Sequence, residues 1–284
     1  MERVEEATKQ KKKCKIFGYS IWRILAYFII YSVLGYIIET IFGIITKGTW
    51  ESRQSFLYGP FCGIYGLGAV IMIIALQHFN QNNNRLFLGG FIVGSIVEYV
   101  VSWIGEVIFN VKWWDYSNMP LNLNGRICVF FSIFWGFLAI YLMSYINPRV
   151  DKLINWIKSK ISIKKLKVIT LAFTIFLFID FILTGYALKF FIVRKVHENN
   201  LPVANKEQAD IMYDKIYSNE NLVEFINAFW GDRKMIRTFP NLKIKDKDGN
   251  IIYFADYVGD IQPYYYKFNF NLKKNKDEIF DNVE

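Results

Sequence analysis

The chain has 284 residues, of which 53% are hydrophobic and 18% aromatic, and a formal net charge of +9 at pH 7. A water-soluble domain of this size is less apolar, and it does not gather its apolar residues into blocks of about 20, the length a bilayer's hydrocarbon core demands. The composition therefore excludes a soluble globular protein. It makes the basic excess a membrane-surface charge rather than a nucleic-acid patch, and no nucleic-acid partner is expected.

In chain order, residues 1–23 form a basic segment with Lys9, Lys11, Lys12, Lys13 and Lys15. Five apolar blocks follow, at about Ile24–Ile45, Tyr58–Leu76, Leu86–Phe109, Ile127–Ile146 and Val168–Val193. With no water in the hydrocarbon, each must satisfy its own backbone and is predicted helical. The first block is too long for a signal peptide and carries Glu39, so it is read as a retained span. The fold class is all-α: a polytopic transmembrane helix bundle of about five spans. Residues 24–147 form a four-helix core, 148–167 a basic loop, 168–193 the fifth span and 194–284 a soluble C-terminal region. Lipid bilayer is its first partner, and the expected location is the cell membrane.

Orientation follows from lysine and arginine. The basic N-terminus and the loop containing Arg149, Lys152, Lys158, Lys160, Lys164, Lys165 and Lys167 are separated by four spans, so both fall on one side, read as cytoplasmic. The segments Trp50–Leu57 and "KWWDYSNMPLNLNGRI" (112–127) then face outward. In the tail, "LKIKDKDGNIIYF" predicts a β-hairpin rather than a calcium loop, because Ile244 and Ala255 occupy the ligand positions at its two ends. Parity places the tail outside, while Arg194 and Lys195 argue the other way.

Ionisable residues inside a span are costly and turn toward protein or a wet cavity. Ser95, Glu98, Ser102 and Glu106 recur at three or four residues in the third block, and Ser32, Gly35, Glu39, Gly43 and Thr46 do so in the first. Two such stripes can pack together and turn their carboxyls to one interior. The expectation is an outward-opening acidic cleft lined by Glu39, Glu98, Glu106, Ser95 and Ser102. Arg53 and Arg126 stand at its mouth, with Asp115 between them, and Trp113, Trp114 and Tyr116 form an aromatic lid at headgroup depth. Asp180, with Thr184 one turn on, is read as a packing contact. Gly59, Gly63, Gly66 and Gly68 allow close approach, and Pro60 suits a helix start. Cys62 and Cys128 fall at the same end of their spans, where a disulfide is conceivable and free thiols are favoured; Cys14 lies on the opposite side. With two histidines in all, no zinc pair or Ser/His/Asp set forms, and no catalytic residue, metal or cofactor is assigned.

The strings "FLYGPFCGIYGLGA", "EYVVSWIGE", "WWDYSNMPLNLNGRICVFFSIFWG" and "FPNLKI" resemble the bacterial CmpB-like, putative ABC-transporter type IV permease family. Members usually read "RGFLYGPFCPIYG"; here Gln54, Ser55 and Gly63 depart from that pattern, and Arg53 takes the arginine role after a short slip. The resemblance implies a permease that moves a small polar or cationic solute with a separate ATPase subunit. Five spans in one chain are few for a complete pathway, so a homodimer is the corollary. Two other readings stay open: a membrane-embedded enzyme acting on lipid-linked or envelope substrates, and a sensor or scaffold working through the soluble tail.

Overall fold

The structure is a computed structural model describing residues 15–79, 82–109, 112 and 114–268. Lys9, Lys11, Lys12, Lys13, Cys14 and Trp113 lie outside the described residues. A two-residue hairpin, β1 (Lys15–Ile16) with β2 (Tyr19–Ser20), leads into α1 (Ile21–Lys47). Next come β3 (Thr49–Glu51), α2 (Gly63–Leu76) and α3 (Asn83–Phe109). The hairpin β4 (Asn122–Leu123) and β5 (Ile127–Cys128) opens α4 (Val129–Tyr141), which runs on into α5 (Asn147–Lys160). α6 (Ile163–Glu198) leads to α7 (Lys206–Tyr217), α8 (Glu220–Phe229) and α9 (Asp232–Thr238). A second hairpin, β6 (Lys243–Lys245) and β7 (Ile251–Tyr253), and the strand β8 (Tyr264–Lys267) complete it.

Among the described residues, four helical stretches are long and apolar enough to cross a membrane: α1, α3, α4 continued by α5, and α6. Their outer faces are bare hydrocarbon. Ile41, Phe42 and Ile45 on α1, Phe130 and Phe137 on α4, and Phe178 and Phe181 on α6 are all more than half exposed, which only lipid would tolerate.

The expected second span is different. α2 has 14 residues, about 21 Å of helix against a hydrocarbon core of about 30 Å. The stretch before it, 52–62, is not helical, and Pro60 sits in that stretch rather than at a helix start. Such backbone survives at membrane depth only when other protein satisfies it. Here the Leu57 amide donates to Thr184 Oγ1 (2.8 Å) and the Tyr58 amide to both Asp180 oxygens (3.1 and 3.2 Å). The Cys62 amide donates to the Ser32 carbonyl (2.8 Å) and the Gly63 amide to Ser55 Oγ (2.6 Å). Asp180 is thus a structural acceptor for a broken span.

The basic segment 148–167 is also not a loop. A π-helical turn over Leu142–Ile146 joins α4 to α5 and absorbs Pro148, which has no N–H to give. Ser162 then caps α6, accepting the Lys165 amide.

Two cores result. One joins α1, α2, α4 and α5 around Tyr27, Tyr31, Ile73, Leu76, Leu142 and Val150. The other wraps the last turns of α6 (Leu188, Phe191, Val196) with α8, α9 and the β6–β7 hairpin, through Ile226, Met235, Ile236, Ile244 and Phe254. This second core sits at the end of the bundle where α1 and α3 finish, opposite to α5. Antiparallel pairing of β3 with β8 ties it to α1. The hairpin pairs Ile244 with Ile252, and Ile244 is fully buried, so that position packs and does not ligate.

Candidate functional site

The loop between α3 and α4 folds on itself. Asn124 and Gly125, both at positive φ (55° and 66°), make the turn of the β4–β5 hairpin, and the Arg126 amide closes it on the Leu123 carbonyl (3.0 Å). Asn122 bonds the Met119 and Ser117 carbonyls and accepts the Gly125 amide. Trp114 Nε1 donates to the Arg126 carbonyl (2.9 Å). Lys112, only 3% exposed, pairs with Asp115 at 2.7 Å. Partial burial alone would raise the Asp115 carboxyl, but the Lys112 ammonium and the Ser117 hydroxyl and amide outweigh it and hold it at about 2.

Tyr116 turns toward α3 and α4. Its ring stacks on Phe131 (centroids 4.7 Å apart) and its hydroxyl reaches inward to Glu98 Oε1 (2.8 Å). Glu98 is 4% exposed, and its other oxygen accepts from Trp135 Nε1 at 2.9 Å. A matching arrangement holds Glu39, which accepts from the Tyr65 hydroxyl at 2.5 Å. Among the described residues, neither glutamate has a basic side chain within ion-pair distance.

The two glutamates are built alike. A Cβ on Gly35 would fall 2.2 Å from Tyr65 Cβ, and one on Gly94 would fall 2.5 Å from Trp135 Cβ. Each glycine lies one turn before its glutamate and seats the aromatic residue that bonds it. The expected direct packing of the α1 stripe on the α3 stripe is replaced by two separate seams: α1 packs mainly on α2, and α3 mainly on α4. Burial, then the Glu98 charge, pushes the Tyr116 phenol well up, and Cys128 and Glu39 add to the same rise.

The remaining predicted residues divide. Ser95 bonds Ser132 Oγ (2.7 Å) and the Phe91 carbonyl, closing the α3–α4 seam. Ser102, one turn beyond Glu98, is 1% exposed and its hydroxyl has no hydrogen-bond partner. Glu106 stands apart from the other two acids, bonded to Arg126 at 2.5 Å and to Lys245 of the C-terminal region at 3.0 Å. Arg126 also lies over the Tyr99 ring, 5.4 Å from its centroid. Arg53 pairs with Glu51 (2.7 Å) rather than with Glu39, and packs over Gly43. Cys62 and Cys128 are buried free thiols. Sequence reasoning missed Tyr65 and Trp135, the donors to the glutamates, and the Asn-Gly turn signal in "NLNGRI".

A family model described as putative ABC-transporter type IV matches residues 26–185, more than half of the chain. The chain belongs to that family. The match to the type IV family spans α1 to most of α6, and so contains Glu39, Tyr65, Glu98, Tyr116 and Trp135; α7 to β8 fall outside it. Comparison with curated proteins and with solved structures finds no match.

Proposed function

We propose that this type IV family protein is a multi-pass permease subunit of the bacterial cell membrane that moves a small polar or cationic solute with a separate ATPase. Glu98 and Glu39 line its polar path. The observation that carries this reading is Glu98: a carboxylate buried at mid-span, held by two neutral donors and by no cation. A charge in that setting costs several kcal/mol unless a proton or a cation joins it. Tyr65, Tyr116 and Trp135 fix the oxygens in place and leave the charge unmet, as a transient cation or proton site requires. Ser102, buried without a partner one turn away, offers a further oxygen.

Among the described residues no group of three or more His, Cys, Asp or Glu side chains could hold a metal ion, so the pair suits a proton or a monovalent cation better than a divalent one. The loop 114–126 closes the outer end. Its Arg126–Glu106–Lys245 contacts belong to that closure and not to the path.

Affinity capture of the full chain from native membranes should bring down an ATPase, and proteoliposomes holding both should show ATP-dependent flux that Glu98→Gln abolishes. Capture without an ATPase, or flux unchanged by Glu98→Gln, overturns the reading.

A further inference from the structure

A cavity of about 770 Å³ lies away from the glutamates, between the end of α6, the end of α8, α9 and Tyr265 of β8. Four cations line it: Arg194, Arg233, Lys234 and Arg237. The two lining carboxylates are already engaged. Asp232 takes Arg194 at 2.5 Å and Lys195 at 2.6 Å, and Glu198 takes Lys195 at 2.8 Å. Among the described residues, Arg233, Lys234 and Arg237 have no carboxylate within ion-pair distance.

The donors are unmet as well as the charge. The Arg194 side chain is 6% exposed, yet its Nε makes no hydrogen bond, and the buried Nε of Arg237 makes none either. Tyr265 supports the Arg237 guanidinium from below, with its ring centroid 6.0 Å away. Lys234 is anchored by the Leu57 carbonyl (3.0 Å) and the Tyr58 ring, and burial pulls its ammonium down. What the cavity itself presents is Arg233, Lys234 and Arg237, three cations that share one opening with no carboxylate of their own, which is the demand an anion meets. Planar guanidiniums beside an ammonium match a phosphate oxygen fork. The volume suits a small molecule or a headgroup. Position matters too: Arg194 lies about two turns beyond Tyr186, the last large apolar side chain that α6 leaves exposed, so the cavity sits just past the apolar end of the bundle.

We propose that this cavity binds a phosphate-bearing ligand at the membrane surface, held by Arg233, Lys234 and Arg237. A phospholipid headgroup and a free phosphate share that chemistry, and the experiment separates them. The full chain in micelles of a phosphate-free maltoside detergent is titrated by calorimetry with inorganic phosphate and with short-chain phosphatidylglycerol. Saturation by phosphate identifies a free anion; saturation by the short-chain lipid alone identifies a headgroup. Arg233→Gln with Arg237→Gln should weaken binding at least about tenfold, Arg237→Lys should weaken it less, and Lys160→Gln at the opposite end should leave it unchanged. If the double variant unfolds, the ordering of wild type, Arg237→Lys and Arg237→Gln carries the test. Saturation by neither probe, or equal binding in wild type and the Gln variants, overturns the proposal.

Discussion

At the end of the bundle where α1 begins, Asp151 of α5 accepts from the Tyr27 hydroxyl and pairs with Arg23 at 2.5 Å. Tyr31 adds a 3.0 Å bond to Asn147. Nearer the other end, Glu39 and Glu98 also accept from tyrosines, but no arginine answers them. The same acid–phenol pair thus serves two ends. With a guanidinium it becomes a neutral clasp between helices; without one it stays a buried charge that must find its partner elsewhere. The difference separates what holds α1 to α5 from carboxylates that the described residues leave without a counter-charge.

Matched neutralisations break that comparison most directly. Asp151→Asn weakens both the Arg23 pair, whose side chains are about 30% exposed, and the bond from the buried Tyr27 hydroxyl, and should cost about 1–2 kcal/mol, read as a loss of unfolding midpoint in detergent. Glu98→Gln removes a charge with no counter-charge and should stay within about 1 kcal/mol of wild type in the same assay. A larger loss for Glu98→Gln than for Asp151→Asn would erase the distinction.

Between these lies the loop. Asp115 is held at about 2 against an ordinary value of 3.8, so it binds protons less readily when folded. Its stabilisation is fully present above about pH 4 and is lost as pH falls toward 2. Asp115→Asn should therefore cost on the order of 1–2 kcal/mol at pH 7 and nothing near pH 2. Tyr116→Phe should cost about 1 kcal/mol and free one Glu98 oxygen. The smallest effect belongs to the closure. A double-mutant cycle of Arg126 and Glu106 should give a coupling of about 0.5–1 kcal/mol, since both are partly exposed and Lys245 shares the carboxylate.

Much of the bundle was legible in the sequence because hydrocarbon imposes length and composition directly. Four of the five apolar blocks became helices long and apolar enough to cross a membrane, and the "DKDG" hairpin formed where the alternation placed it. The block at Tyr58–Leu76 misled because composition reports apolarity and not who satisfies the backbone. The non-helical stretch at its start depends on Asp180 and Thr184, more than a hundred residues away. The basic segment read as a loop because its charges hide a helix carried through Pro148 by a π turn. At the site, spacing put Glu98 and Ser102 on one face but could not say that Trp135 and Tyr116 would meet it. The seams were set by glycines at 35 and 94, whose effect is visible only once the opposing ring is in place.

α6 is one uninterrupted helix of 36 residues, about 54 Å, with no proline along its length. Its basic start lies beside α1 and its far turns are welded into the second core. It therefore acts as a stiff lever: rocking it by about 10° at one end would sweep the other through roughly 9 Å. Asp180 and Thr184 ride on that lever with the broken span hanging from them.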